Sequence, residues 1–283
     1  MIFVVGHAGR VGGFFYNAYR RLGLHPTGIG RDYDYSATNF PSTNGLSESA
    51  PHCIIYTALS GGRPYTSLQA KDDLNTLQRC IDWAGRLRVR PRLVFLSSIS
   101  VYENLKSGQA DTSAELSCTS PYAKMKLDSE NLIKKFSHNF LNVDILRCGA
   151  LLVDHKRDES FVGRLVTTLK DQQNCELVNP NNRFNALITV RDLFSLINKW
   201  EAMRKPQDFP SIYNIGSTES LTMHELAEYI ASRIGVTNSV TWREDSTVGE
   251  RVLTYPSSLN ALLPTVEETL NKYTSQLSAL QGR

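Results

Sequence analysis

No stretch of this 283-residue chain approaches the ~20 consecutive apolar residues that a bilayer-spanning helix requires, so no membrane segment is expected. A secretory leader is missing as well. Met1–Val5 is a short apolar run ending at glycine with no basic region before it, which points to a cytoplasmic protein. An excess of one charge is also absent: 31 Lys and Arg against 28 Asp and Glu leave a formal net charge of +3, too small and dispersed to argue for nucleic acid. The densest basic run, Arg86, Arg88, Arg90 and Arg92, reads as a solvated helix end, where the helix dipole favours cations. Cysteine is sparse: five, at positions 53, 80, 118, 148 and 175, odd in number and without Cys-x-x-Cys spacing. Free thiols in a reducing compartment follow, and no His, Cys or Asp cluster has the spacing of metal ligands. His7 and His224 have no partner spacing and read as structural.

What is present is an alternation. Met1–Val5 has the continuous apolar character of a strand buried on both faces. Gly6-His-Ala-Gly9-Arg10-Val11-Gly12-Gly13 follows, and then a helical pattern through Phe15, Ala18, Tyr19 and Leu22. Strand, glycine turn and helix in that order is the context a dinucleotide needs, because the glycines allow close approach and the helix N-terminus offers free N–H groups to a diphosphate. A second strand over His25–Arg31 ends in Gly30 and Arg31, where such sites carry an acid for the ribose 2′-hydroxyl or an arginine for a 2′-phosphate. Arg31 favours NADP over NAD, with NAD still possible, and Arg10 offers a second cation.

Residues 33–50 read as loop, His52–Ala58 as a strand running into Leu59, and Thr66–Leu87 as a helix with Leu68, Leu74, Leu77, Cys80, Ile81 and Ala84 on its buried side. Arg92–Leu96 reads as the next strand and carries Ser97 and Ser98 at its carboxyl end. Tyr122 to about Phe140 is the helix after it, with Ser120 or Thr119 as cap, and Asn142–Arg147 the strand beyond. The fold class is α/β, a doubly wound parallel sheet of Rossmann type. The expected layout is a dinucleotide-binding domain over 1–150, rejoined around 184–193, and a smaller substrate-binding region over 151–283.

Ligands of open parallel sheets bind outside the carboxyl ends of the strands, so the glycine loop, Ala58, Leu59, Ser97 and Ser98 converge on one crevice. Tyr122 and Lys126 add chemistry. Four residues apart on one helix, they share a face, and an ammonium beside a phenol favours the phenolate and brings it toward neutral-pH proton transfer. A second pair at this spacing, Tyr102 and Lys106, sits in a strand-end loop interrupted by Ser107-Gly108 and need not face one way. Cys118, four residues before Tyr122, reads as a thiol without a role.

These residues resemble the extended short-chain dehydrogenase/reductase family of nucleotide-sugar epimerases, dehydratases and ketoreductases. Gly6-x-x-Gly9-x-x-Gly12 looks like its cofactor loop, Asn75 like its helical asparagine, Ser97-Ser-x-x-Val-Tyr102 like its serine segment and Tyr122-x-x-x-Lys126 like its catalytic pair. Arg147, Thr189-Val-Arg-Asp-Leu193 and Tyr213-Asn-Ile-Gly216 are similar to its later landmarks. The resemblance implies that Ser98 and Tyr122 hold a carbonyl or alcohol oxygen, that Tyr122 moves the proton, that Lys126 also holds the nicotinamide ribose, and that the chain forms a homodimer. Two departures narrow it. Ser98-Ile-Ser100 lacks the acid with which the 4,6-dehydratases eliminate water, and Thr247-Val-Gly-Glu250 stands where the family meets a nucleotide diphosphate, leaving Arg183 or Arg251 as substitutes. The leading expectation is an NADP-preferring 4-ketoreductase of a nucleotide-sugar. The alternatives are an NAD-dependent 4-epimerase and, in another class, a non-catalytic NADP sensor.

Overall fold

The computed structural model describes residues 1–30, 40–41, 53–58, 65–103, 108–153, 158, 160–171, 175–203, 210–236, 240–245, 250 and 252–281. In chain order the elements are β1 (Ile2–Val5), α1 (Arg10–Arg21), β2 (Thr27–Ile29), β3 (Cys53–Tyr56), α2 (Ser67–Ala84), β4 (Arg92–Ser98), β5 (Gln109–Ala110), α3 (Pro121–Lys135), β6 (Asn142–Cys148) and β7 (Ala150–Leu152). There follow α4 (Phe161–Lys170), β8 (Cys175–Val178), β9 (Arg183–Phe184), β10 (Leu187–Thr189), α5 (Val190–Met203), β11 (Ser211–Ile215), β12 (Leu221–Thr222), α6 (Met223–Ile234), β13 (Val240–Arg243), β14 (Val252–Leu253), α7 (Ser257–Asn260) and α8 (Val266–Gln281). The chain forms two compact units: Met1–Glu103, Ser117–Arg147 and Arg204–Tyr213 make the first, and Asn104–Leu116, Cys148–Met203 and Asn214–Arg283 the second.

The first unit carries the six-stranded sheet, in the order β11-β6-β4-β3-β1-β2, with parallel pairing between β1 and β2, β1 and β3, and β3 and β4. Strands with no polar alternation, such as Cys53–Tyr56 and Arg92–Ser98, are buried along their whole length, as a sheet covered on both faces demands. One face packs Phe3, Ile54, Tyr56 and Phe95 against Leu77, Ile81, Trp83 and Ile133 of α2 and α3. Helix α2 starts in a capping box, Thr66 accepting from the Gln69 N–H while the Gln69 side chain returns to the Thr66 N–H. Helix α3 starts on Ser120, whose hydroxyl accepts from the Ala123 N–H, with Pro121 in the first turn.

Three sequence expectations need correction here. Leu68, assigned to the buried side of α2, is 69% exposed, because it lies in the first turn before the helix reaches its neighbours. The helix beginning near Tyr122 ends at Lys135, and Ser137–Asn139 form a separate short 3-10 turn. The return to the first unit lies at Arg204–Tyr213, not at 184–193. The apolar run at 187–189 is a strand, but it pairs with Ala150–Leu152 inside the second unit. Periodicity identifies a buried strand without saying which sheet receives it.

The second unit is held by short two-stranded pairings, β7 with β10, β8 with β13, β9 with β12 and β5 with β14. Its core gathers Val162, Leu165 and Leu169 of α4, Leu226 and Ile230 of α6, and Val266, Leu270 and Tyr273 of α8. Asparagines substitute for longer ladders: Asn185 donates to the Leu253 carbonyl and accepts from its N–H, and Asn179, at φ +53°, does the same with Asp245.

Candidate active site

The turn after β1 is fixed by its neighbours. The Gly6 N–H donates to Ile29 O at 2.7 Å, and the Thr57 hydroxyl donates to Val5 O at 2.9 Å, tying the ends of β1, β2 and β3 together. Gly6 has φ +90°, and a methyl there would lie 2.7 Å from the Ala58 backbone. At Gly12 a methyl would lie 2.2 Å from Gly6 O and 2.5 Å from Thr57 Oγ1, so α1 reaches the strand ends only because this residue has no side chain. The cap of α1 is Gly9, which supplies no side-chain acceptor, and the first turn holds no acid. A helix start with neither a capping side chain nor an acid in its first turn suits an anion. Gly6, Gly9 and Gly12 fit the diphosphate of a dinucleotide, with Val11 half-buried, Ala58 buried and Arg10 exposed around them. Replacing Gly12 by Ala is expected to weaken NADPH binding more than tenfold and lower the melting temperature, as fluorescence titration and thermal scanning would register.

The candidate proton-transfer groups, Ser98, Tyr122 and Lys126, lie at the carboxyl end of β4 and on α3. Lys126 is 1% exposed, and its ammonium donates to the Leu96 carbonyl at 2.6 Å. The same Nζ lies 5.8 Å from the Tyr122 ring centroid and 5.2 Å from that of Phe95. Tyr122 packs edge-on against Tyr65, with ring centroids 5.5 Å apart, and the Tyr65 hydroxyl donates to Asp73 of α2. Ser98 caps the 3-10 turn Ile99–Val101; its hydroxyl accepts from the Ser100 N–H at 3.1 Å and lies 3.2 Å from the Ser100 hydroxyl. The expected trio therefore sits on β4, the turn after it and α3, within one unit. Tyr65 and Asp73 carry no spacing signal in the sequence. Asn75, marked by resemblance, is on the exposed face of α2.

Behind these groups lies a buried ionic network that sequence reading missed. Ser97, expected beside the cofactor, instead donates its hydroxyl to Glu130 Oε1 at 2.6 Å. Glu130 is fully buried and accepts from Arg147 Nη2 at 2.8 Å and Nε at 3.0 Å, and Arg147 Nη1 donates to the Tyr102 hydroxyl at 2.6 Å. Burial alone would lower the Arg147 pKa, but Glu130 and Tyr102 outweigh it and hold the guanidinium charged. Tyr102, whose spacing to Lys106 mimics the catalytic pair, is thus a 3% exposed structural acceptor; Lys106 lies outside the described residues.

A clamp sets where α3 begins. The Ser117 N–H donates to Val101 O and the Glu103 N–H to Ser117 O, so the chain before α3 pairs with the chain after Ser98. Glu103 then accepts from the N–H and hydroxyl groups of both Thr119 and Ser120. Burial pushes its carboxyl up, yet these four bonds outweigh burial and leave it below the ordinary value. A depressed carboxyl contributes stability above its unfolded value and loses it as pH falls through the folded one. Cys118, in the same clamp, donates weakly to Val101 O, and burial followed by the charges of Glu103, Glu130 and Asp128 pushes its thiol up. Iodoacetamide at pH 7.5 is accordingly expected to label Cys118 more slowly than an unstructured cysteine peptide, measured by mass spectrometry. All five cysteines are free.

In the second unit Arg183 is exposed and donates to the Ser220 hydroxyl at 2.8 Å and carbonyl at 2.6 Å. Arg31, Leu59 and Arg251 lie outside the described residues. Among the described residues no His, Cys, Asp and Glu cluster has the form of a metal site, and no helix is long and apolar enough to cross a membrane.

The model of the NAD dependent epimerase/dehydratase family matches residues 2–216, and the chain belongs to that family, whose members are enzymes. Among curated proteins nothing matches. The chain is similar in structure to MoeE5 in complex with UDP-glucose and NAD, at 18% identity, a TM-score of 0.76 and 99% coverage of both chains. It is also similar to UDP-glucose 4-epimerase from Thermotoga maritima, at 16% identity and TM-score 0.76, covering 100% of this chain and 99% of that one. A third similar structure is dTDP-glucose 4,6-dehydratase from Bacillus anthracis in complex with NAD, at 18% identity and TM-score 0.74, covering 99% and 97%. At these identities the likeness establishes the Rossmann-type fold.

Proposed function

We propose that the protein is an NADP-preferring oxidoreductase that reduces the keto group of a nucleotide-activated sugar. The observation that carries this reading is the buried Lys126 ammonium beside the Tyr122 ring at the end of β4, next to the Ser98 turn. The bound nicotinamide cofactor supplies the hydride that the carbonyl carbon accepts. Ser98 and Tyr122 hold the carbonyl oxygen, and the Tyr122 hydroxyl gives it a proton as charge develops there. The Lys126 ammonium stabilises the phenolate left behind until water reprotonates it. Gly6, Gly9 and Gly12 hold the diphosphate, Arg10 and Arg31 are the candidates for the 2′ end, and Arg183 and Arg251 are the candidates for the sugar nucleotide. Residues 151–283 then serve mostly the substrate, the protein works as a homodimer, and its free cysteines suit the cytoplasm.

The second reading, a 4-epimerase that oxidises and re-reduces one carbon on retained NAD, draws on the similarity to UDP-glucose 4-epimerase. Dehydration is disfavoured because Ser98-Ile-Ser100 offers no acid for water elimination. Side-by-side fluorescence titration of NADPH and NADH on cofactor-stripped protein, repeated with Arg31→Ala, separates the two. Tighter NADPH binding lost in the variant, with consumption of NADPH by a nucleotide 4-keto-sugar, supports the reductase. NAD absorbance that survives dialysis, with epimer interconversion and no added cofactor, overturns it in favour of the epimerase.

A further inference from the structure

Tyr65 and Asp73 belong neither to the cofactor loop nor to the expected trio, yet they reach Tyr122 from another helix. Tyr65 immediately precedes Thr66, the cap of α2, so the capping box of that helix sets its backbone. Its hydroxyl donates to Asp73 Oδ2, about two turns into α2, and Asp73 is 2% exposed. The Tyr65 ring in turn meets the Tyr122 ring, with centroids 5.5 Å apart and planes 82° apart. A chain of contacts thus leads from a buried carboxylate of α2, through one phenol, to the phenol in the first turn of α3. All three residues lie within the first unit.

Ring packing alone would not select this arrangement. A phenylalanine at position 65 would offer Tyr122 the same ring, and burying a carboxylate is costly unless hydrogen bonds compensate it. The pairing makes physical sense where the orientation of the Tyr65 ring matters, because a buried acid gripping the hydroxyl at its far end restricts the side-chain torsions. Tyr122 is where such stiffness is useful. It is the second residue of α3 and half-buried, and a half-buried ring at a helix start has more than one rotamer within reach. Lys126, on the same helix, places Nζ 5.8 Å from the ring centroid, and Tyr65 adds a contact from a second element. Proton transfer requires hydrogen-bond reach to the reacting oxygen, and a misplacement of about 1 Å costs on the order of 10²-fold in rate.

We propose that Tyr65, anchored through its hydroxyl by Asp73, is a positioning residue that holds the Tyr122 ring in place for proton transfer. The inference rests on the role given to Tyr122 above and adds what keeps that phenol in register.

The test follows turnover and the ring separately. Turnover is NADPH consumption by a nucleotide 4-keto-sugar or, for the second reading, epimer interconversion. The ring is followed by fluorine NMR of substrate-free protein carrying 3-fluorotyrosine at position 122 alone. Tyr65→Phe keeps the neighbouring ring and removes only its hydroxyl; kcat is expected to fall about fivefold, with cofactor Kd within twofold of wild type and the fluorine resonance shifted or split. Tyr65→Ala, which removes the contact itself, should lower kcat about 30-fold. Asp73→Ala should match Tyr65→Phe in both readouts. Asp73→Asn, whose carbonyl still accepts from the hydroxyl, should return both to near wild type, a rescue that loss of stability does not produce. If Asp73→Ala fails to fold, Tyr65→Phe, which loses one oxygen from a half-buried side chain, decides the matter. An unchanged kcat or an unmoved resonance in Tyr65→Phe overturns the proposal and leaves the proposed function standing. A wild type with neither turnover overturns the proposed function instead, and the fluorine spectra of Tyr65→Phe and Asp73→Asn then decide whether the anchor holds the ring.

Discussion

Tyr122→Phe is expected to lower kcat about 10³-fold while NADPH binding stays within a few-fold of wild type. General acid–base groups contribute on the order of 10²–10⁴ in rate, and this substitution removes the transferable proton while keeping the ring that packs on Tyr65. Lys126 keeps its bond to the Leu96 carbonyl and its place over Phe95, so fold and cofactor loop are undisturbed. Stopped-flow kinetics with a nucleotide 4-keto-sugar, beside fluorescence titration of cofactor, separate the two quantities. A variant retaining full biological function would favour the sensor hypothesis, in which the dinucleotide regulates a partner and the phenol has no work to do.

Glu130→Leu should cost about 3–5 kcal/mol of stability, since it removes the carboxylate that pairs with the buried Arg147 guanidinium. At ~2–4 °C per kcal/mol for chains of 150–250 residues, the melting temperature should fall by roughly 10 °C. Ser97 loses its acceptor in the same variant, so the end of β4 should loosen and kcat fall as well. The double variant Glu130→Leu, Arg147→Met removes both charges and should recover much of the loss, because a buried ion pair is weak evidence of net stability although breaking one is costly. Circular dichroism melts of the two variants decide it: if the single variant melts like wild type, the network is not holding β4 to α3.

The fold was largely legible because its strands are continuous apolar runs punctuated by glycine or polar turns. Met1–Val5 and Leu93–Leu96 could hardly be anything but buried strands in such a setting. The candidate trio of Ser98, Tyr122 and Lys126 stood out in the sequence because its signal is local, a four-residue spacing and a serine at a strand end. The network of Ser97, Glu130, Arg147 and Tyr102 did not, since its members are up to 50 positions apart and nothing local distinguishes a buried glutamate from an exposed one on the same helix. The tie of Arg183, the exposed candidate for the substrate, to Ser220 was equally hidden, since the two are 37 positions apart. The pairing of 187–189 with 150–152 was invisible for a different reason, that two-stranded parallel contacts of three residues leave no periodic trace.

The grip of Glu103 on Thr119 and Ser120 has an evolutionary corollary. The chain leaves the first unit at Glu103 and re-enters it at Ser117, and these two ends are stitched together by backbone and carboxylate bonds. Whatever is inserted, deleted or rewritten between them, Tyr122 begins its helix from the same anchorage. Loop length adds only slowly to the entropy of closure, so changes between these two ends that spare the pairing of β5 with β14 should carry little penalty for the start of α3. Exchange of the remainder of that segment should leave Tyr122 and Lys126 in their register on α3.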